Sequence, residues 1–139
     1  MKERILIFLA LIAIIYGCST KEVEGLNVNR LHDIWALESI AGEKITFDKT
    51  VKNLPMLEIY VEEERVHGNT SCNTIDGKVE IDKNNITFYD IITTEKACPG
   101  DLEQKFLSAL DKVNNYKIEK MKLYLYNDDQ EIMIFQKID

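Results

Sequence analysis

Proline and glycine are scarce in this chain of 139 residues, with two and six copies. That excludes a collagen-like repeat and a proline-rich linker. Histidine is just as rare, at His32 and His67, and no two of the three cysteines form a CxxC pair. Few side chains are therefore left for a metal or redox centre, and neither a metal nor a cofactor is expected. No apolar stretch reaches the roughly 18 residues of a membrane-spanning helix. No internal repeat marks a solenoid. Basic residues are outnumbered, 17 Lys and Arg against 24 Asp and Glu, for a net charge of −7. That argues against a dedicated nucleic-acid binder. What is present, 45% hydrophobic and 29% charged residues, suits one globular domain.

The first residues read as an address. Lys2 and Arg4 precede a charge-free apolar run from Ile5 to Tyr16. As a helix that run is roughly 18 Å long, short of the ~30 Å hydrocarbon core, and so has the dimensions of a secretory signal. It ends Ile15-Tyr16-Gly17-Cys18. A small residue before a cysteine at this point resembles the bacterial lipobox. The resemblance implies cleavage after Gly17 and acylation of the Cys18 sulfur with palmitate-type chains. The expected division is a lipoprotein signal peptide over 1–17, a lipidated tether over 18–30 and a domain over 31–139. Loss of Lys2, Glu3 and Arg4 takes the net charge from −7 to −8, so an anchored domain should stand off an anionic leaflet. The expected location is the cell envelope, membrane-anchored on its periplasmic or cell-surface side. The expected state is a monomer, with the membrane and an envelope protein as partners.

The body alternates like β-structure. Runs over 34–40, 56–61, 77–82, 86–91 and 121–126 read as strands, 131–137 pairs back with Ile132 and Ile134 on one face and Met133 and Phe135 on the other, and 116–119 adds a short strand. Ala41 to Lys44 is expected to turn the first run into Ile45-Thr46-Phe47. Glu62 to Val66 reads as a strand end or turn. Lys83-Asn84-Asn85 reads as a tight turn, with asparagine supplying left-handed backbone. Leu102, Phe106, Ala109, Leu110 and Val113 sit at helical spacing, and Asp101 with Gln104 forms a capping-box pattern. The fold class is α+β: a small curved antiparallel sheet of about seven or eight short strands, partly barrel-like, packed on one amphipathic helix. Trp35, Leu37, Phe106, Leu110 and Phe135 are the expected core.

In an oxidising compartment Cys72 and Cys98 would pair. The bridge would close a loop of 27 residues, counted inclusively, and is worth roughly 3.5 kcal/mol by chain entropy. Two free buried thiols, or a metal or redox role, are the alternatives. With Cys18 acylated the remaining cysteines are even in number.

Four stretches resemble the META domain family, which includes the HslJ heat-shock lipoprotein. Trp35-Ala-Leu37-Glu-Ser-Ile40-Ala-Gly42 is similar to the family's opening. Gly68-Asn-Thr-Ser-Cys72-Asn73-Thr-Ile-Asp-Gly77 is similar to its central loop. Thr94-Glu-Lys-Ala97-Cys98, followed by Glu103, Phe106 and Leu110, is similar to its run into a helix. Leu123-Tyr-Leu125 with Ile134-Phe135 is similar to its closing hairpin. The chain departs from the pattern at Ser71, where many members place glycine, and at Thr74. The resemblance implies a β-rich domain with a packed helix, a Cys72–Cys98 disulfide, Gly68, Asn73, Gly77 and Thr94 as motif-loop residues, and no established catalytic activity. It therefore implies a non-enzymatic envelope lipoprotein, a binding module or a support under envelope stress. The alternative is a carrier of a lipid or small apolar ligand, which needs an apolar cavity under Phe106 and Leu110. A secreted enzyme would need His67 beside a carboxylate in a deep cleft.

Overall fold

The computed structural model describes residues 28–138. Cys18, the signal peptide and most of the tether lie outside these residues. Residues 28–31 are helical. The strands that follow are β1 (Ile34–Ile40), β2 (Glu43–Lys44), β3 (Met56–Tyr60), β4 (Arg65–Asn69), β5 (Thr74–Asp82) and β6 (Asn85–Thr93). A helix, α1 (Leu102–Leu110), separates these from β7 (Asn115–Glu119), β8 (Lys122–Asn127) and β9 (Gln130–Ile138).

The nine strands form one antiparallel sheet in the order β2-β1-β3-β4-β5-β6-β7-β8-β9, and β1 also pairs with β9. The sheet therefore bends into a ring. β1 is its keystone: all of it runs beside β9, while its first residues pair with β3 and its last with β2. The weakest joint is between β6 and β7, where the register holds the single pair Asn85↔Asn115. α1 is inserted in sequence at that joint.

The apolar face of each strand points into the ring. Leu57, Ile59, Val66, Ile75 and Val79 are fully buried. Trp35, Leu37 and Phe135 join them, and Trp35 Nε1–H donates to Leu31 O at 3.0 Å. α1 contributes Phe106 and Leu110, both buried, with Phe106 edge-on to Phe135 at 6.4 Å. Two glycines mark close approaches. A Cβ at Gly68 would lie 2.0 Å from Met56 O. One at Gly77 would lie 2.4 Å from Ile91 Cδ1, at the register shift between β5 and β6. Backbone and side chain occupy the space in which any larger residue would place its first carbon.

The α+β class holds broadly, but the sheet has nine strands and the helix is minor. The extra strand of substance is β4, expected to be a turn and loop. Its only buried residue is Val66, and it is a strand because β3 and β5 pair with it on both sides. Ile45-Thr46-Phe47 is not a strand, and Phe47 is exposed. Met121 lies in the β7–β8 turn, exposed rather than facing the core. Lys83, not an asparagine, carries the left-handed backbone of the β5–β6 turn, with φ 57°. The capping box does not form: Asp101 makes no side-chain cap bond and pairs instead with Lys105 at 3.0 Å.

The ring has two distinct ends. At one, the chain comes in from residue 28. Arg30 donates to Lys120 O, Asp33 pairs with Lys137 at 2.7 Å, and His32 stands edge-on to Tyr60. At the other end lie the β1–β2 turn, the segment 45–55, the β4–β5 turn, the strap 94–101 and α1.

Candidate functional site

The motif loop folds around one amide. Asn73 is almost fully buried, and so is Thr70. Asn73 Oδ1 accepts from Thr94 Oγ1 at 2.7 Å and from the Lys96 N–H at 2.8 Å. Its Nδ2 donates to Glu103 Oε2 at 2.9 Å and to Lys96 O at 3.0 Å, and lies 3.0 Å from Cys98 Sγ. Thr70 Oγ1 donates to Glu103 Oε2 and accepts from the Asn73 N–H at 3.0 Å. Thr94 Oγ1 also accepts from the Thr74 N–H at 3.1 Å. One buried side chain thus joins the β4–β5 turn, the strap and the first turn of α1. Cys72 and Cys98 are joined by a disulfide with Cα atoms 5.8 Å apart, beside the same contacts. Ser71 has φ 85°, which gives a physical reason for glycine at this point in relatives. Gly68 and Gly77 flank the knot as close-packed strand positions. None of these motif residues offers a free polar group to a ligand: all serve architecture.

His67 and Asp76 form a second cluster that the sequence did not disclose. They lie on adjacent strands at a paired register position, His67 Nδ1 3.0 Å from Asp76 Oδ2, with Arg65 on the same carboxylate at 3.0 Å. Hydrogen bonds from His67 first, then Arg65, lower the Asp76 pKa below its ordinary value. The pair sits on the open outer face of the sheet, side chains 44% and 36% exposed. The deep cleft that an enzyme reading required is absent around it. Among the described residues no group of three or more His, Cys, Asp or Glu could hold a metal ion. Nor is any helix among them long and apolar enough to cross a membrane.

One cavity of ligand size lies at the end away from residue 28. It is a cleft of about 810 Å³ between α1 on one side and β2 with the segment 45–51 on the other. Ile40, Ile45, Val51, Leu102, Ala109 and Ile132 contribute its apolar surface. Lys44, Lys105 and Lys112 contribute cations, and Glu43, Asp48 and Asp101 anions. Asp48 is held by the Thr50 hydroxyl and by the N–H groups of Thr50 and Val51, which lower its pKa. Phe106 and Leu110 do not line the cleft; they are sunk in the core. The cavity expected beneath them by a carrier is filled with side chains.

The fold has relatives. One NMR structure superposes with a TM-score of 0.60 at 19% identity, covering 78% of this chain and 92% of its own. An NMR structure of a protein from Burkholderia xenovorans gives 0.63 at 16% identity, covering 80% and 86%. The crystal structure of a DUF4847 family protein from Bacteroides vulgatus gives 0.58 at 13%, covering 82% and 96%. At these identities the likeness is one of fold. No curated protein matches. The META domain model matches residues 28–139, which spans every strand, the Asn73 knot and α1. The chain belongs to the META domain family.

Proposed function

We propose that this protein is a non-enzymatic envelope lipoprotein whose META domain serves as a membrane-tethered binding or support module. The observation that carries this reading is the placement of the two ends. Cys18 stands ten residues before residue 28, a span of at most about 35 Å when extended. Residues 28–33 are pinned to one end of the ring by Arg30, His32 and Asp33. The cleft lies at the opposite end, so an anchor at Cys18 would turn it away from the bilayer. Family membership supports a non-catalytic role, and any part in envelope stress rests on family analogy alone.

The test is fractionation after metabolic labelling with a palmitate analogue. The wild-type chain should partition with membranes and carry label, and Cys18→Ser should lose both. A Cys18→Ser chain that stays in the membrane fraction with unchanged mass would refute the anchor. Crosslinking of the native protein in cells, followed by mass spectrometry, would then identify what the module touches.

A further inference from the structure

The Cys72–Cys98 bridge joins two sulfurs in unlike surroundings. Both cysteines are partly exposed, but only Cys72 lines a cavity. That cavity, of about 430 Å³, opens beside Phe47, Asn53, Leu54 and Met56. None of the described residues lining it carries a charge. Cys98 Sγ lies in the knot, 3.5 Å from Glu103 Oε2 and 3.3 Å from Lys96 O. Cys72 Sγ has Ala97 O, at 4.0 Å, as its polar neighbour.

The chemistry of the bond names its reagent, since a disulfide exchanges with thiolates. An anion approaching this chain of net charge −7 meets uncharged walls at Cys72 and a carboxylate at Cys98. Access and charge therefore agree on which sulfur is attacked. The same carboxylate decides the fate of the other sulfur. A thiolate at Cys98 would stand beside Glu103, so the freed sulfur takes up a proton, with Glu103 and Lys96 O in reach of its S–H. The strap stays in place, because Asn73 holds it through Thr94 and Lys96 without either sulfur.

We propose that Cys72 is a thiol-exchange site. A thiolate attacks Cys72 Sγ, the bond to Cys98 breaks, and a new disulfide joins Cys72 to the incoming thiol. The electron pair departs on Cys98 Sγ, which takes a proton from water. The co-reactant is a thiol, supplied by a small molecule or by a cysteine of another protein. As a protonated thiol Cys98 is a poor nucleophile, so the adduct on Cys72 outlasts the encounter. The inference needs neither the anchor nor the binding-module reading.

The experiment treats the full chain in detergent micelles with reduced glutathione at about pH 8, where part of it is thiolate. The reaction is stopped with N-ethylmaleimide and read by peptide mass spectrometry. Glutathione on Cys72 with maleimide on Cys98 should exceed the reverse by more than about fivefold, since access adds to a charge effect of that size. In guanidinium the preference should vanish. Asn53→Asp puts a charge on the exposed cavity wall and should slow the adduct by about two- to fivefold. Glu103→Gln should speed re-closure of the bridge by a similar factor; if that variant melts early, Asn53→Asp decides the point. A protein dithiol with its resolving cysteine replaced by serine tests the second source. An adduct on Cys72 from either thiol supports the site, and the thiol that forms it names the source. Glutathione on Cys98, an equal mixture, no adduct from either thiol, or an unchanged rate in Asn53→Asp would overturn the proposal. The Cys18→Ser chain should give the same adduct, which keeps Cys18 out of the reading and judges the anchor separately.

Discussion

The Asn73 knot and the cleft are neighbours that share the strap 94–101 and the first turn of α1, yet their polar groups are opposite in kind. In the knot every donor and acceptor is met, and among the described residues no buried side-chain nitrogen or oxygen lacks a partner. In the cleft Glu43, Lys44 and Lys112 are exposed charged side chains. A family motif concentrated in the first region is therefore a recipe for the fold. The cleft draws only Ile40 and Ala41 from a motif stretch.

That contrast can be broken by measuring stability variant by variant. Trp35→Ala sets the scale of a plain core loss, about 3–5 kcal/mol in chemical denaturation; a negligible loss would make Trp35 a surface aromatic. Removing the bridge with Cys72→Ser and Cys98→Ser should cost up to about 3.5 kcal/mol by loop entropy, and less to the extent that Asn73 holds the same segments together without it. Asn73→Leu should cost about 1–2 kcal/mol, because it takes the buried amide away from the Lys96 N–H, the Thr94 hydroxyl and the Glu103 carboxylate, which are themselves partly open to water. A loss below about 0.5 kcal/mol, the scale of an ordinary surface substitution, would mean that the knot is not structural. Asp76→Asn tests an ion pair outside both regions. The folded pKa of Asp76 lies below 3.8, so its contribution is present above that pH and is lost as pH falls through the lower folded value. The variant should therefore lose a small stability near neutrality and show a flatter acid limb in its thermal midpoint. Smallest of all, Lys44→Gln with Lys112→Gln should leave stability within about 0.5 kcal/mol; a larger loss would place those lysines in the architecture.

Much of this was readable in the sequence. Strands β3, β5, β6, β8 and β9 announce themselves by alternation because each buries one face, and β1, buried on both, does so by its apolar run. β4 does not: Arg65, His67, Gly68 and Asn69 look like loop, and only pairing from both sides makes them a strand. Missing β4 also hid His67 and Asp76, which the β4–β5 register brings together. Asn73 and Thr94 stood out as motif residues, but their role depends on bonds between residues 20 to 30 apart in sequence. No local period records such contacts. The cleft was unreadable for the same reason, since its walls come from two segments more than fifty residues apart in the chain.

β1 follows directly on the pinned segment 28–33 and is hydrogen-bonded along both flanks, to β9 on one side and to β3 and β2 on the other. A pull applied at residue 28 therefore meets the ring in shear. Many ladder bonds must stretch together before any one lets go, whereas a hairpin peeled from its free end yields one bond at a time. Were the chain held from its N-terminal side, a load borne by the far end would pass along β1 without peeling a hairpin.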